Sequence, residues 1–294
     1  MSDTPPPAPP RRLTEAARRR LNELLAQGVP AAKAMAQVRA EPDAFEPIPE
    51  APPPLPPAPR LPWKGDCTEW GPVLEKLARL RELDHSRAVF GASKHDYSFR
   101  PRVSASQLVA REKKLGAPLP RGLRALYATV GDGGAGPDYG LYGLADLEAH
   151  RPAVPYPGVA KLRTLGPKGA PQPAEPLHAR VSVKRLTGAV TLLTSGCSLY
   201  SAVVCTGDVG RVIHYDDDIV VETDDTLVDW YTTWLDGEIA QFELVQRLHQ
   251  AGASTDEMAR EMKPLLPGLP APNVRMKTEA TLRGLTTTQG RSEA

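Results

Sequence analysis

The chain has 294 residues, with 32 Pro, 24 Gly, 5% aromatic residues and a formal net charge of +1. Near-neutral charge points to neither a nucleic-acid binder nor a highly charged surface, and no window approaches the ~18 uninterrupted apolar residues of a membrane span. The three cysteines, Cys67, Cys197 and Cys205, contain no CxxC pair, so neither a disulfide framework nor a zinc motif is expected and a cytoplasmic location is.

Fifteen of the 32 prolines precede Leu61, so the excess marks a region and not the fold. Residues 1–10 should be unstructured and have no apolar core for a signal peptide. Residues 11–27 read as a short helix, with Thr14 as candidate N-cap, a stripe of Leu13, Leu21, Leu24 and Leu25, and Gly28 as stop. Pro30 opens a second short helix to about Arg39. Residues 1–40 thus form a mildly basic arm with two short helices. Residues 41–62 form a proline-rich linker whose Pro52-Pro53-Pro54 and Pro56-Pro57 favour an extended spacer.

Residues 68–84 show the strongest helical period, with Trp70, Val73, Leu74, Leu77, Leu80 and Leu83 at three- and four-residue steps. Ser104 and Gln107 make a capping box for a helix ended by Gly116. Pro120 begins another, carrying Leu123, Leu126, Tyr127 and Val130 and stopped by Gly131. Residues 139–144 suggest a strand or turn, and 145–150 a helical turn. Proline-rich 151–176 reads as a surface insertion. Strand composition follows at 181–183, 189–194, 201–205, 211–215 and 219–221, with Thr206-Gly207-Asp208 as a hairpin turn. Asp224-Asp225 should cap a helix carrying Leu227, Val228, Trp230, Tyr231, Trp234 and Leu235, interrupted near Gly237. Residues 265–294 hold few large apolar residues and read as a disordered tail.

Two local patterns invite chemistry. Residues 131–136 spell GxGxxG, but they follow a helix and run into Pro137, the reverse of the strand–loop–helix context a dinucleotide site needs. His214 with Asp216, Asp217 and Asp218 could hold a divalent cation and supply a base, yet the spacing matches no calcium loop, and a solvated acidic turn is the simpler reading. Ser195-Gly196-Cys197-Ser198 lacks the nucleophile-elbow frame. No catalytic residue, metal ligand or cofactor is assigned.

Charge distribution says more. Residues 207–243 hold eleven acids and one basic residue, Arg211, whereas 100–127 hold seven basic residues and one acid, Glu112. A fold that joins the two segments can present faces of opposite sign, unless the charges neutralise each other within it.

Two stretches resemble one family. Residues 108–146 carry Glu112, Leu115-Gly116, Leu119-Pro120 and the glycines Gly131, Gly133 and Gly134 in the order of the N-terminal signature of the SUKH superfamily of Smi/Knr-like domains. Residues 196–235, with Gly207, Gly210, Arg211-Val212-Ile213 and the helix bearing Trp230, are similar to its later half. Asp132 stands where members often have Asn-Gly, and the arm has no counterpart. The resemblance implies an α+β domain over 63–250 (core 104–248), with a mainly antiparallel sheet flanked by helices and no enzymatic activity. Many bacterial members resemble immunity proteins that neutralise toxins.

The expected function is therefore protein binding, with a basic toxin domain as partner and no nucleic acid or membrane. Asp216, Asp217, Asp218, Asp224, Asp225 and Tyr139 are the candidate contacts. A regulatory scaffold is the first alternative, and a metal-dependent hydrolase built on His214 and Asp216–Asp218 the second.

Overall fold

The computed structural model describes residues 11–27, 29, 31–47, 69–167 and 171–286, in two units divided between Leu61 and Pro62. The stretch 1–10, the prolines of 52–57 and Cys67 lie outside the described residues.

In the first unit, β1 (Arg11–Leu13) pairs antiparallel with β2 (Phe45–Pro47) around helices α1 (Glu15–Ala26) and α2 (Ala31–Arg39). The Thr14 hydroxyl accepts from the Ala17 N–H at 3.2 Å and caps α1. Ala17, Leu24, Ala34, Val38 and Ala44 bury a small core. Folded chain therefore runs to residue 47, past the boundary of 40 set by charge and composition. The ladder with β1 draws in residues whose prolines had suggested a spacer.

The second unit is α+β. Helix α3 (Gly71–Leu83) buries Val73, Leu77, Leu80 and Leu83, one stripe of a 3.6-residue period, with Trp70 fully buried just ahead of it. A one-turn helix α4 (Ala92–His95) leads to α5 (Ala105–Leu115), where Ser104 and Gln107 close the capping box and Gly116 ends the helix in the left-handed region. Helix α6 (Arg121–Ala125) continues into a π-helical turn (Leu126–Val130).

Then come β3 (Glu148–His150), α7 (Val159–Thr164), β4 (His178–Arg180), β5 (Ala189–Gly196), β6 (Leu199–Val204), β7 (Arg211–Tyr215) and β8 (Ile219–Thr226). They form one antiparallel sheet in the order β3-β5-β6-β7-β8-β4. Helices α8 (Leu227–Gln250), α9 (Thr255–Met262) and α10 (Ala271–Thr286) complete the unit. Among the described residues no helix is long and apolar enough to cross a membrane.

Alternation along the strands divides the sheet's side chains between two cores. Val190, Leu192, Val203 and Val212 join Trp70, Leu80, Leu123 and Tyr231 in the larger one, on the helical side. Ala189, Ala202, Val204, Ile213 and Val220 join Tyr156, Val159 and Leu162 in the other. The 151–176 segment is thus not a surface insertion. Tyr156, Val159 and Leu162 fall at three-residue steps and cover the second face of the sheet, and Leu162 is fully buried. Arg163 donates to the carbonyls of Pro173, Glu175 and His178 at 3.0 Å or less, satisfying the irregular chain around α7.

Four further expectations change. Residues 148–150 are a strand, not a helical turn, because pairing with 189–191 outweighs local preference. Strand β8 runs through Asp224 and Asp225, and Thr226 is the N-cap of α8, accepting from the Asp229 N–H at 3.4 Å. Gly237 does not interrupt α8: an added Cβ there would meet nothing within 4 Å, and the helix continues on packing. The tail expected to be disordered contains α10, which packs on α8 and α9 with Val274 and Thr278 buried; residues 287–294 lie outside the described residues.

Candidate functional site

At the end of the sheet, three loops and one helix enclose a groove of about 380 Å³. The helix contributes Trp230, Trp234 and Glu238, four residues apart and therefore on one stripe of α8. The neighbouring stripe, Leu227, Tyr231 and Leu235, is buried in the core and fixes the helix's rotation. Trp234 stacks edge-on against Tyr231 at 5.2 Å, so the half-buried ring rests on a rigid one.

Strands β6 and β7 supply the floor. Ser201 and His214 are register partners on the helical side, and the Ser201 hydroxyl meets Nδ1 of His214 at 2.9 Å. Burial lowers the His214 pKa, with Asp138 and Asp225 opposing that shift from nearby. The imidazole is therefore held neutral at ordinary pH.

The opposite wall comes from Phe90 and Asp138, two loops fused by close backbone approach. Gly91 has φ +77°, and a Cβ there would fall 1.7 Å from the Asp138 carbonyl oxygen. Asp138, itself in the left-handed region at φ +52°, accepts from the Ser195 hydroxyl at 2.6 Å, which ties this loop to the β5–β6 hairpin. That hairpin turns on Cys197 and Ser198, both at positive φ, the geometry that matches strand twist in a two-residue turn.

Tyr139 is 41% exposed and Phe90 55%, with ring centroids 5.1 Å apart, so the two make an aromatic ridge beside the groove. Beyond it lies a second depression of about 440 Å³ that includes Lys94, Arg100 and Tyr139. The ridge thus stands between a groove with two acids in its lining and a depression of mixed charge, in which Arg100 pairs with Asp146 at 3.4 Å.

The glycine-rich loop spends its N–H groups on the fold. Gly131 donates to Leu126, Asp132 to Arg100, Gly134 to Leu141 and Ala135 to Ser98, all at 3.2 Å or less. These amides are committed within the fold and are not free to cradle a phosphate.

The six candidate contacts do not form one surface patch. Tyr139 is on the ridge, and Asp225 acts on His214 from beside the groove. Asp216 closes the β7–β8 turn, accepting from the N–H groups of Asp218 and Ile219 at 2.7 Å each. It lines a smaller depression of about 210 Å³ with Tyr200 and Tyr215. Asp217 and Asp218 are exposed at that turn. Asp224 pairs with Arg211 at 3.1 Å.

Much of the acidic run is neutralised inside the fold. Arg211 also pairs with Asp208, Lys76 with Asp236, Arg79 with Glu243 and Lys277 with Glu238. Among the described residues no three His, Cys, Asp or Glu side chains are grouped so as to hold a metal ion.

Phe90, Asp138, Trp230 and Trp234 were not legible as site residues. Trp230 and Trp234 read as members of a single apolar stripe with Tyr231 and Leu235. The one available signal was the i, i+4, i+8 repeat ending in Glu238, which an all-buried stripe would not contain.

Comparison of the chain with protein-family models, with curated proteins and with solved structures gives no match.

Proposed function

We propose that the chain is a non-enzymatic protein-binding module that neutralises a basic toxin domain in the cytoplasm, as the SUKH resemblance implies. The observation that carries this reading is the aromatic groove and its ridge. Phe90, Tyr139, Trp230 and Trp234 stand partly exposed on elements anchored in the core. Half-buried aromatic anchors on a rigid frame are the usual energetic centre of a protein interface. Ser201 and His214 do not by themselves argue for hydrolysis: Ser201 is 3% exposed and lies within a strand paired on both sides. Asp217 and Asp218, exposed and without an ion pair among the described residues, would add long-range attraction for a basic partner more than affinity.

The test is to co-purify the full chain with the protein encoded beside its gene and to titrate the pair by calorimetry. A stable complex is expected, and Trp234→Ala should weaken it by about tenfold or more without shifting the melting temperature by more than a few degrees. Absence of a complex, together with survival of cells deleted for this gene, would overturn the reading.

A further inference from the structure

Resting on the protein-binding reading, we infer that the groove between Phe90, Asp138 and the Trp230–Trp234 stripe is a pocket for an arginine side chain of the partner.

The chemistry of the walls selects the guest. Phe90, Trp230 and Trp234 offer ring surface, and Asp138 and Glu238 offer negative charge. No lysine or arginine is among the described residues that line the groove. His214 does not offset the acids, because burial keeps it neutral. Glu238 is already shared with Lys277, whose amine lies 2.8 and 3.1 Å from its two oxygens. Asp138 is the more available acid. The Ser195 hydroxyl holds Oδ2 at 2.6 Å, fixing the carboxylate while leaving Oδ1 for another donor.

A planar cation with forked donors fits this arrangement best. Guanidinium stacks on indole faces, gives up less hydration than an ammonium on entering a groove, and can donate to a carboxylate and a hydroxyl together. An acidic peptide would meet Asp138 and Glu238 with like charge. A nucleic-acid base could stack on the tryptophans, but its phosphates would be repelled by the same acids. A volume of about 380 Å³ is ample for one guanidinium and its methylene stem.

The test uses the full chain and its tryptophan fluorescence. Of the four tryptophans, Trp230 and Trp234 line the groove, Trp70 is fully buried, and Trp63, which lies outside the described residues, is replaced (Trp63→Phe) so that its signal does not contribute. N-acetyl-arginine amide, N-acetyl-lysine amide, N-acetyl-citrulline amide and N-acetyl-triproline amide are titrated in parallel. Saturable change with the arginine probe is expected, at least about fivefold weaker with lysine, and none with citrulline, which has a similar shape without the charge. Asp138→Asn should weaken the arginine response about tenfold. Asparagine tolerates the left-handed backbone and still accepts from Ser195, so this variant keeps the loop; Glu238→Gln serves as a second variant, with a smaller loss.

Equal response to arginine and citrulline, a response to triproline alone, or an Asp138→Asn variant that binds arginine normally would each overturn the inference. If the protein partner binds and the arginine probe neither binds nor competes with it, the pocket assignment falls and the protein-binding reading stands. If the partner fails to bind while the arginine probe does, the reverse holds.

Discussion

Asp84 shows how one buried charge sets up the groove. It has no exposed surface, and it accepts from the N–H groups of Ala88 and Val89 at 2.7 and 2.9 Å and from the Tyr97 hydroxyl at 2.6 Å. Those bonds fold the loop after α3 back on itself and place Val89 and Phe90 at the groove. Removing the acceptor strands the buried Val89 N–H, the partly buried Ala88 N–H and the Tyr97 hydroxyl. Asp84→Ala should therefore lose roughly 3 kcal/mol of stability in urea unfolding, and Tyr97→Phe about 1 kcal/mol. A loss below ~1 kcal/mol for Asp84→Ala would mean that the loop is held by something else. The cysteines give a second test at this scale. Burial pushes the Cys205 thiol up to about 12, whereas Cys197 is exposed on the hairpin turn. Peptide mapping after iodoacetamide at mildly alkaline pH should find Cys197 alkylated and Cys205 protected until the chain is unfolded.

Between helices, the C-terminal segment marks the limit of what the sequence makes legible. The Trp70–Leu83 stripe and the Ser104 capping box are visible in the chain because large apolar residues and cap side chains declare themselves locally. Helix α10 does not, because its buried stripe is Val274, Thr278, Thr281 and Gly284. Composition scores threonine and glycine as loop-like. In the fold, Thr278 and Thr281 donate to the carbonyls of Val274 and Lys277 at 2.9 Å, so their hydroxyls are satisfied within the helix and their methyl groups can pack. Gly284 lets α10 approach α8 so closely that a Cβ would lie 2.7 Å from the Phe242 ring. The 151–176 segment does not declare itself for a related reason: its three core residues are diluted among prolines, and their burial depends on a sheet formed later in the chain. The groove was illegible because it joins residues from 89 to 238, and no local pattern reports such a meeting. Two glycines separate the local from the tertiary effect. Gly284→Val should destabilise the protein by roughly 2 kcal/mol through overpacking. Gly237→Ala, on an open face of α8, should stabilise it by about 0.5–1 kcal/mol through helix propensity. Chemical denaturation of the two variants checks both signs, and a neutral Gly284→Val would remove α10 from the packed unit.

At the scale of the whole molecule, the fold buries His95 and partly buries His150 and His214 in different places, and together they shape its response to acid. His95 lies between α4 and the glycine loop, where its Nδ1 accepts from the Tyr97 N–H at 3.1 Å. His150 sits on the sheet face opposite the groove, with Nε2 at 3.0 Å from the Thr191 hydroxyl and 2.9 Å from that of Tyr215. His214 forms the groove floor. Burial is the largest influence on each and lowers all three pKa values below 6.5; Asp96 beside His95, and Asp138 and Asp225 beside His214, reduce the effect without reversing it. The native state thus holds its protons more weakly than the unfolded chain. The stability this confers is fully present above about pH 6.5 and is lost as pH falls through the lower folded values. The melting temperature should therefore be flat from about pH 8 to 7 and decline as pH falls below about 6.5. His150→Gln, which keeps a polar group near Thr191 and Tyr215 but cannot titrate there, should make that decline shallower, whatever it does to stability at neutral pH. An unchanged slope in this variant would show that His150 is solvated in the native state, and that the covered sheet face opens to water well before the molecule unfolds.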